Sequence, residues 1–144
     1  VGSAGTPYDL ERFVVAQDAG RTYDGAVTEL RGGRKTGHWM WFVFPQIAGL
    51  GRSETSRRFA LSSRQEAEAY RRHPVLGPRL VECAGIVADL EGRTAEQVFG
   101  AVDARKLHSS MTLFMRVDPD DPVFARVVDR YFDGRPDEAT ESRI

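Results

Sequence analysis

Trp39, Trp41, Phe42 and Phe44 fall within six residues, between His38 and Gln46. Flat aromatic faces stack on a heterocyclic base, and the polar residues at either end would hydrogen-bond it. The same run makes equally good core, since tryptophan is commonly buried for its area. Further on, Gly49-Leu50-Gly51-Arg52-Ser53 has the make-up of an anion cradle. Its glycines let backbone N–H groups approach, Arg52 can fork onto a phosphate, and Ser53 opens a helix. A turn followed by an ordinary serine cap is the plainer account. Asp103 and Lys106 put an acid and an ammonium one helical turn apart, and Glu11 lies in the first turn of an amino-terminal helix. Stabilisation by the helix dipole explains either carboxylate without chemistry. The segment Arg31-Gly32-Gly33-Arg34-Lys35-Thr36 lacks the residue order of a phosphate loop and reads as a helix stop. Ser109-Ser110 reads as small-residue helix packing, and no hydrolase triad, zinc-protease or cysteine-nucleophile pattern stands out.

The elements that must carry these residues are helices. Asp9 is placed to cap a helix over residues 10–18, with Leu10, Phe13, Val14 and Gln17 at helical spacing. Tyr23, Ala26, Val27 and Leu30 form a second stripe that stops at Gly32-Gly33. The run from His38 to Phe44 fits neither period and is expected to be buried on most sides. Ser53 should cap a short helix through Phe59. Ser63 with Glu66, and Thr94 with Gln97, have capping-box spacing. Leu76, Leu80, Cys83, Val87 and Leu90 make another stripe, and Asp103 is placed to cap a helix with Leu107, Ser110, Met111 and Phe114 inside. Asp121-Pro122 starts a last strong helix that Gly134 ends. The fold class is therefore mainly α: a single compact multihelical domain of about six to eight helices. Residues 1–8 are expected to be a flexible amino-terminal segment, 9–137 the domain and 138–144 a carboxy-terminal tail.

Composition sets the outer limits. At 144 residues the chain is about one domain, large enough to hold a core without disulfides or structural metal. A net charge of −1 removes the electrostatic footprint of a duplex-binding protein, so any anion site must be local. Only Lys35 and Lys106 are lysines among 20 basic residues, a bias that reflects coding composition and is given no functional weight here. The lone Cys83 and the absence of zinc-ligand spacing suit a reducing cytoplasm and predict no tightly bound metal and no cofactor. The longest apolar run, Trp39 to Pro45, is far too short to span a membrane.

Four stretches together, Asp9–Gln17, Gly37–Gln46 with Gly49–Ser53, His73–Leu80 and Lys106–Phe114, closely resemble the bacterial family called domain of unknown function 1810. The likeness runs from about Asp9 to Asp137 and implies a compact, mainly helical domain with no established activity. The calpastatin label that some genomes give the family implies a disordered inhibitor, which this apolar chain does not fit. A second resemblance is to the NADAR superfamily of small helical proteins linked to NAD and ADP-ribose metabolism, which cleave N-glycosidic bonds. It lies in Glu11 with Ala16-Gln17 and Tyr23, in Tyr70, His73 and Leu76, and in Lys106-Leu107 leading to Met111. The superfamily's Phe-Ser-Asn-Phe-type amino-terminal motif is absent, and Ser109-Ser110 replace a glycine-containing motif.

The second resemblance implies hydrolysis of an N-glycosidic bond in an ADP-ribosyl or related nucleotide conjugate. Glu11 would be the carboxylate that steadies the ribosyl cation. Lys106 and Arg52 would take phosphate, with Ser53 and Asp103 beside them; Trp39, Trp41 and Phe44 would wall the base, and His38 and Gln46 would bond it. The alternative is a noncatalytic nucleotide- or protein-binding module. Glu11 facing the aromatic segment across a cleft would favour chemistry, and Glu11 paired on the outer surface would favour the alternative.

Overall fold

The computed structural model of the chain describes residues 8–144. Apolar residues at three- and four-residue spacing give six helices of eight or more residues: α1 (Glu11–Asp18), α2 (Thr22–Arg31), α5 (Arg64–Arg72), α6 (Leu76–Asp89), α7 (Ala95–Val117) and α8 (Val123–Phe132). Three short ones, α3 (Met40–Val43), α4 (Glu54–Arg58) and α9 (Glu138–Glu141), complete the order. Among the described residues the only sheet-like pairing is one isolated parallel bridge between Ile47 and Leu61. The domain is mainly helical, as the stripes require.

The long α7 runs through the middle and packs on α5, α8 and α9, while α6 packs on α2, α5 and α8. Phe13, Leu30, Phe44, Leu80, Met111, Phe114 and Phe124 are all buried where these stripes meet. Phe13 meets Tyr70 edge-on at 5.0 Å between ring centres, and Tyr70 and Phe114 lie 5.6 Å apart, so one aromatic column ties α1, α5 and α7. Two polar clasps hold the first helix to the rest. Arg12 pairs with the buried Glu66 at 3.0 Å and donates to the Arg58 and Ala60 carbonyls. Buried Gln17 donates to the Phe42 carbonyl at 2.7 Å and accepts from Arg79 at 3.1 Å. The second clasp fixes the end of α3, and with it the aromatic run.

Capping follows the sequence in most places. Ser53 and Ser63 accept from Ser56 N–H and Glu66 N–H, and Thr94 with Gln97 forms the full capping box. Five expectations are corrected. Glu66 accepts from Ser62 N–H, so Ser63 and Glu66 do not form the full capping box, and Pro122, not Asp121, is the N-cap of α8 and makes no side-chain cap. Leu10, not Asp9, is the N-cap of α1, and it makes no side-chain cap. Asp103 does not cap a helix, because the chain is already helical from Ala95 and merely kinks at Gly100. The expected carboxy-terminal tail from residue 138 folds instead: Asp137 caps α9, Thr140 is fully buried, and Arg116 clamps Glu141 at 2.5 Å. Its polar partners lie on α7, which sequence spacing does not reveal. The flexible segment expected at the amino end lies outside the described residues up to residue 7, and Tyr8 packs against the core.

Candidate functional site

The kink in α7 creates the site. Gly100 sits at φ +80°, ψ 164°, a conformation that is essentially confined to glycine, and it breaks the helix after Phe99. Broken there, the Val98 carbonyl loses its helical partner and accepts from Lys35 N–H at 2.8 Å. This draws the segment after α2 against α7. On the α2 side, Glu29 reaches forward to accept from Thr36 N–H at 2.7 Å, Gly37 N–H at 2.8 Å and the Trp39 indole at 3.0 Å. Burial raises the pKa of the Glu29 carboxyl, but these hydrogen bonds outweigh it and hold the group below its ordinary range. Lys35 therefore arrives on a fixed loop.

Asp103, just past the kink, is met by both lysines of the chain. Lys35 Nζ lies 2.7 Å from Asp103 Oδ2, with the lysine side chain 7 % exposed, and donates to the Gly37 carbonyl. Lys106 Nζ lies 3.5 Å from Asp103 Oδ1 and sits 4.5 Å from the centre of the Trp41 ring. Lys35 in turn stands 5.0 Å over the Trp39 ring. The two cations are balanced by two anions, Asp103 between them and Glu29 on the Trp39 indole, and each ammonium also contacts the electron-rich face of an indole. Among the described residues, the Trp41 indole N–H and the Ser110 hydroxyl are buried without hydrogen-bond partners. Ser110 is one turn beyond Lys106 on the same face of α7. A buried group left unpaired costs about 1–3 kcal/mol, which makes such atoms markers of a place where something polar binds.

The residues singled out in the sequence divide accordingly. Trp41, Asp103 and Lys106 come together, and Trp39 joins from below as a buried ring bound to Glu29. Phe44 is wholly buried against Trp39 and Phe99, so it is core and not an open base wall. His38 and Arg52 are exposed, and no side-chain partner joins either to the cluster. Gln46 is half-buried, and its backbone carbonyl accepts from Leu61 N–H beside the isolated bridge. Ser53 spends its hydroxyl on α4, accepting from Ser56 N–H at 3.1 Å. Gly51 is required there because a Cβ would come within 2.4 Å of the Ser56 side chain. Close helix packing, rather than anion binding, accounts for that glycine.

Glu11 lies exposed in the first turn of α1, one turn from the exposed Val15 and opposite the face that carries Phe13 and Gln17. Neither Arg12 nor Arg34 pairs with it: Arg12 is committed to Glu66. The carboxylates beside the indoles are Glu29, bonded to Trp39, and Asp103, paired with the lysines that lie over Trp39 and Trp41. Sequence reasoning missed Lys35, whose signal was present in the rarity of lysine. It also passed over Glu29, which nothing in its spacing distinguishes, and read Ser110 as small-residue helix packing. Cys83 is free and buried, and burial pushes its thiol up to about 12, which leaves it inert.

A separate cleft of about 500 Å³ lies at the α5–α6 corner, lined by Arg71, Arg72, His73, Pro74 and Asp118 among others. Its polar groups are largely spoken for. Arg71 pairs with Asp118 at 2.9 Å and Asp121 at 3.4 Å, and His73 Nδ1 accepts from Val75 and Leu76 N–H at the start of α6. No group of three or more His, Cys, Asp or Glu side chains is arranged to hold a metal among the described residues. None of the described helices is long and apolar enough to cross a membrane.

Compared with known proteins, residues 7–144 match the family described as "Protein of unknown function (DUF1810)". No curated protein matches. Among solved structures, the crystal structure of the conserved hypothetical protein Rv1873 from Mycobacterium tuberculosis is similar with a TM-score of 0.91. It shares 49% identity over 95% of this chain and 96% of that one.

Proposed function

The chain belongs to the domain of unknown function 1810 family, and from the geometry of its site we propose that it binds a small phosphorylated ligand of nucleotide type at Trp41, Asp103 and Lys106. The observation that carries this reading is Lys106 Nζ poised 4.5 Å over the half-buried Trp41 ring, with no hydrogen-bond acceptor for it among the described residues. A cation beside an aromatic ring suits a ligand that is anionic at one end and flat at the other. The stranded Trp41 N–H adds a donor in want of an acceptor. A cytoplasmic location, which suits a single buried free thiol, belongs to the same proposal.

N-glycosidic hydrolysis is the second reading. It is favoured by the position of Asp103, the carboxylate that shares this cluster with Lys106 and Trp41. Cleavage of such a bond develops positive charge on the ribose, which a fixed carboxylate stabilises. Asp103 then takes the role that the NADAR resemblance gives Glu11. The test is a panel of ribonucleotides, ADP-ribose and ADP-ribosyl conjugates, followed by thermal shift and by chromatography of the products. Stabilisation without turnover supports the binding module, free base with ribosyl product supports the hydrolase, and neither effect with any compound overturns both.

A further inference from the structure

We infer that the site identifies its ligand through a ribose hydroxyl, held between Lys106 Nζ as donor and Asp103 Oδ1 as acceptor, and that Lys35 positions Asp103 without touching the ligand. The inference rests on the nucleotide reading and names the part of that ligand the protein discriminates. It follows from counting hydrogen bonds. Lys35 has three N–H groups. One is donated to the Gly37 carbonyl, and the ammonium is ion-paired with Asp103 Oδ2 at 2.7 Å, lies over the Trp39 ring and is almost wholly buried. It has nothing to offer a ligand. Lys106 is different: its distance of 3.5 Å to Asp103 Oδ1 is too long for a good hydrogen bond, and no side chain or carbonyl among the described residues accepts from it.

An open donor and an open acceptor thus face each other across 3.5 Å. An atom about 2.8 Å from both fits that gap, and it must accept from the ammonium while donating to the carboxylate. A phosphate oxygen satisfies Lys106 but is repelled by Asp103, and an amine does the reverse. A hydroxyl has one proton to give and lone pairs to receive, so it satisfies both at once. Lys35, by holding Oδ2, turns Oδ1 outward toward Lys106. The phosphate of the ligand is left to the remaining N–H groups of Lys106.

The experiment is calorimetric titration of ribonucleoside monophosphates, their 2′,3′-dideoxy counterparts and ribose 5-phosphate into the wild type, Lys106→Gln and Asp103→Asn. A hydrogen bond to a charged group predicts that losing both hydroxyls weakens binding to the wild type about 10-fold or more. In Lys106→Gln the ribo and dideoxy ligands should bind within about 3-fold of each other. Should Asp103→Asn fail to fold with Lys35 left unpaired, the Lys106 variant carries the test alone. Equal affinity of the wild type for ribo and dideoxy ligands overturns the inference while leaving nucleotide binding standing. Failure of all ligands, ribose 5-phosphate included, overturns both.

Discussion

Eighteen of the 20 basic residues are arginine, and the two lysines end on the same carboxylate. Each of the two ammoniums meets that carboxylate and an indole face together. Lysine rarity, to which the sequence analysis gives no weight, was therefore the best residue-level signal of the site. Glu11 shows the opposite error: its assignment rested on resemblance, and its side chain stands on the exposed face of α1. Glu11→Gln should cost only about 0.3–1 kcal/mol of stability, the size of a helix-dipole contribution, and leave ligand affinity unchanged. A melting curve paired with a ligand titration checks this, and a large loss of affinity would restore Glu11 to the site. Ser110 makes the converse prediction. Its hydroxyl is buried and unpartnered, so Ser110→Ala should leave unliganded stability unchanged or raise it by about 1 kcal/mol, as denaturant unfolding would show.

At the scale of elements, the site depends on two backbone devices. Glu29 clamps residues 36–39 through charged hydrogen bonds, and its carboxyl is held below the ordinary glutamate range. A carboxyl lowered in the folded state contributes stability above its unfolded value of about 4.3 and loses it as pH falls through the lower folded value. Glu29→Gln should destabilise by about 1–3 kcal/mol near neutrality and flatten this acid limb, which melting temperatures from pH 7 down to pH 3 would reveal. Gly100 is the second device. A Cβ there would meet no atom within 4 Å, so any penalty for Gly100→Ala comes from its φ of +80° alone. That penalty is on the order of 1–3 kcal/mol, read by denaturant unfolding. The neighbouring Lys35 N–H to Val98 O bond should also show faster amide exchange in this variant. The stripes of α1, α2, α6 and α8 were legible because periodicity reports one buried face. The kink was legible only as a break, read as a new helix capped by Asp103, because its reason is a contact with the distant Lys35.

For the whole molecule, the sequence located the core but assigned its aromatics unevenly. Trp39 and Phe44, cast as base walls, are buried, and Trp41, cast with them, is the half-buried ring that carries Lys106. Spacing could not separate them, since a one-turn helix between two irregular segments has no period long enough to read. The last residues were expected to form a carboxy-terminal tail, yet α9 is pinned to α7 by the Asp137 N–H bond to Thr112, the Ser109 bond to Asp137 and the Arg116–Glu141 pair. The fold thus holds α7 on three sides while leaving Lys106 its unused donors beside Trp41. Titration of ribonucleoside monophosphates into the wild type and Lys106→Gln, each checked for an unchanged melting temperature, tests this account most directly. The account predicts measurable binding to the wild type and about 10-fold or greater weakening in the variant, the loss of one charge-assisted contact. Equal affinity in a folded variant, or no binding to the wild type, would contradict it.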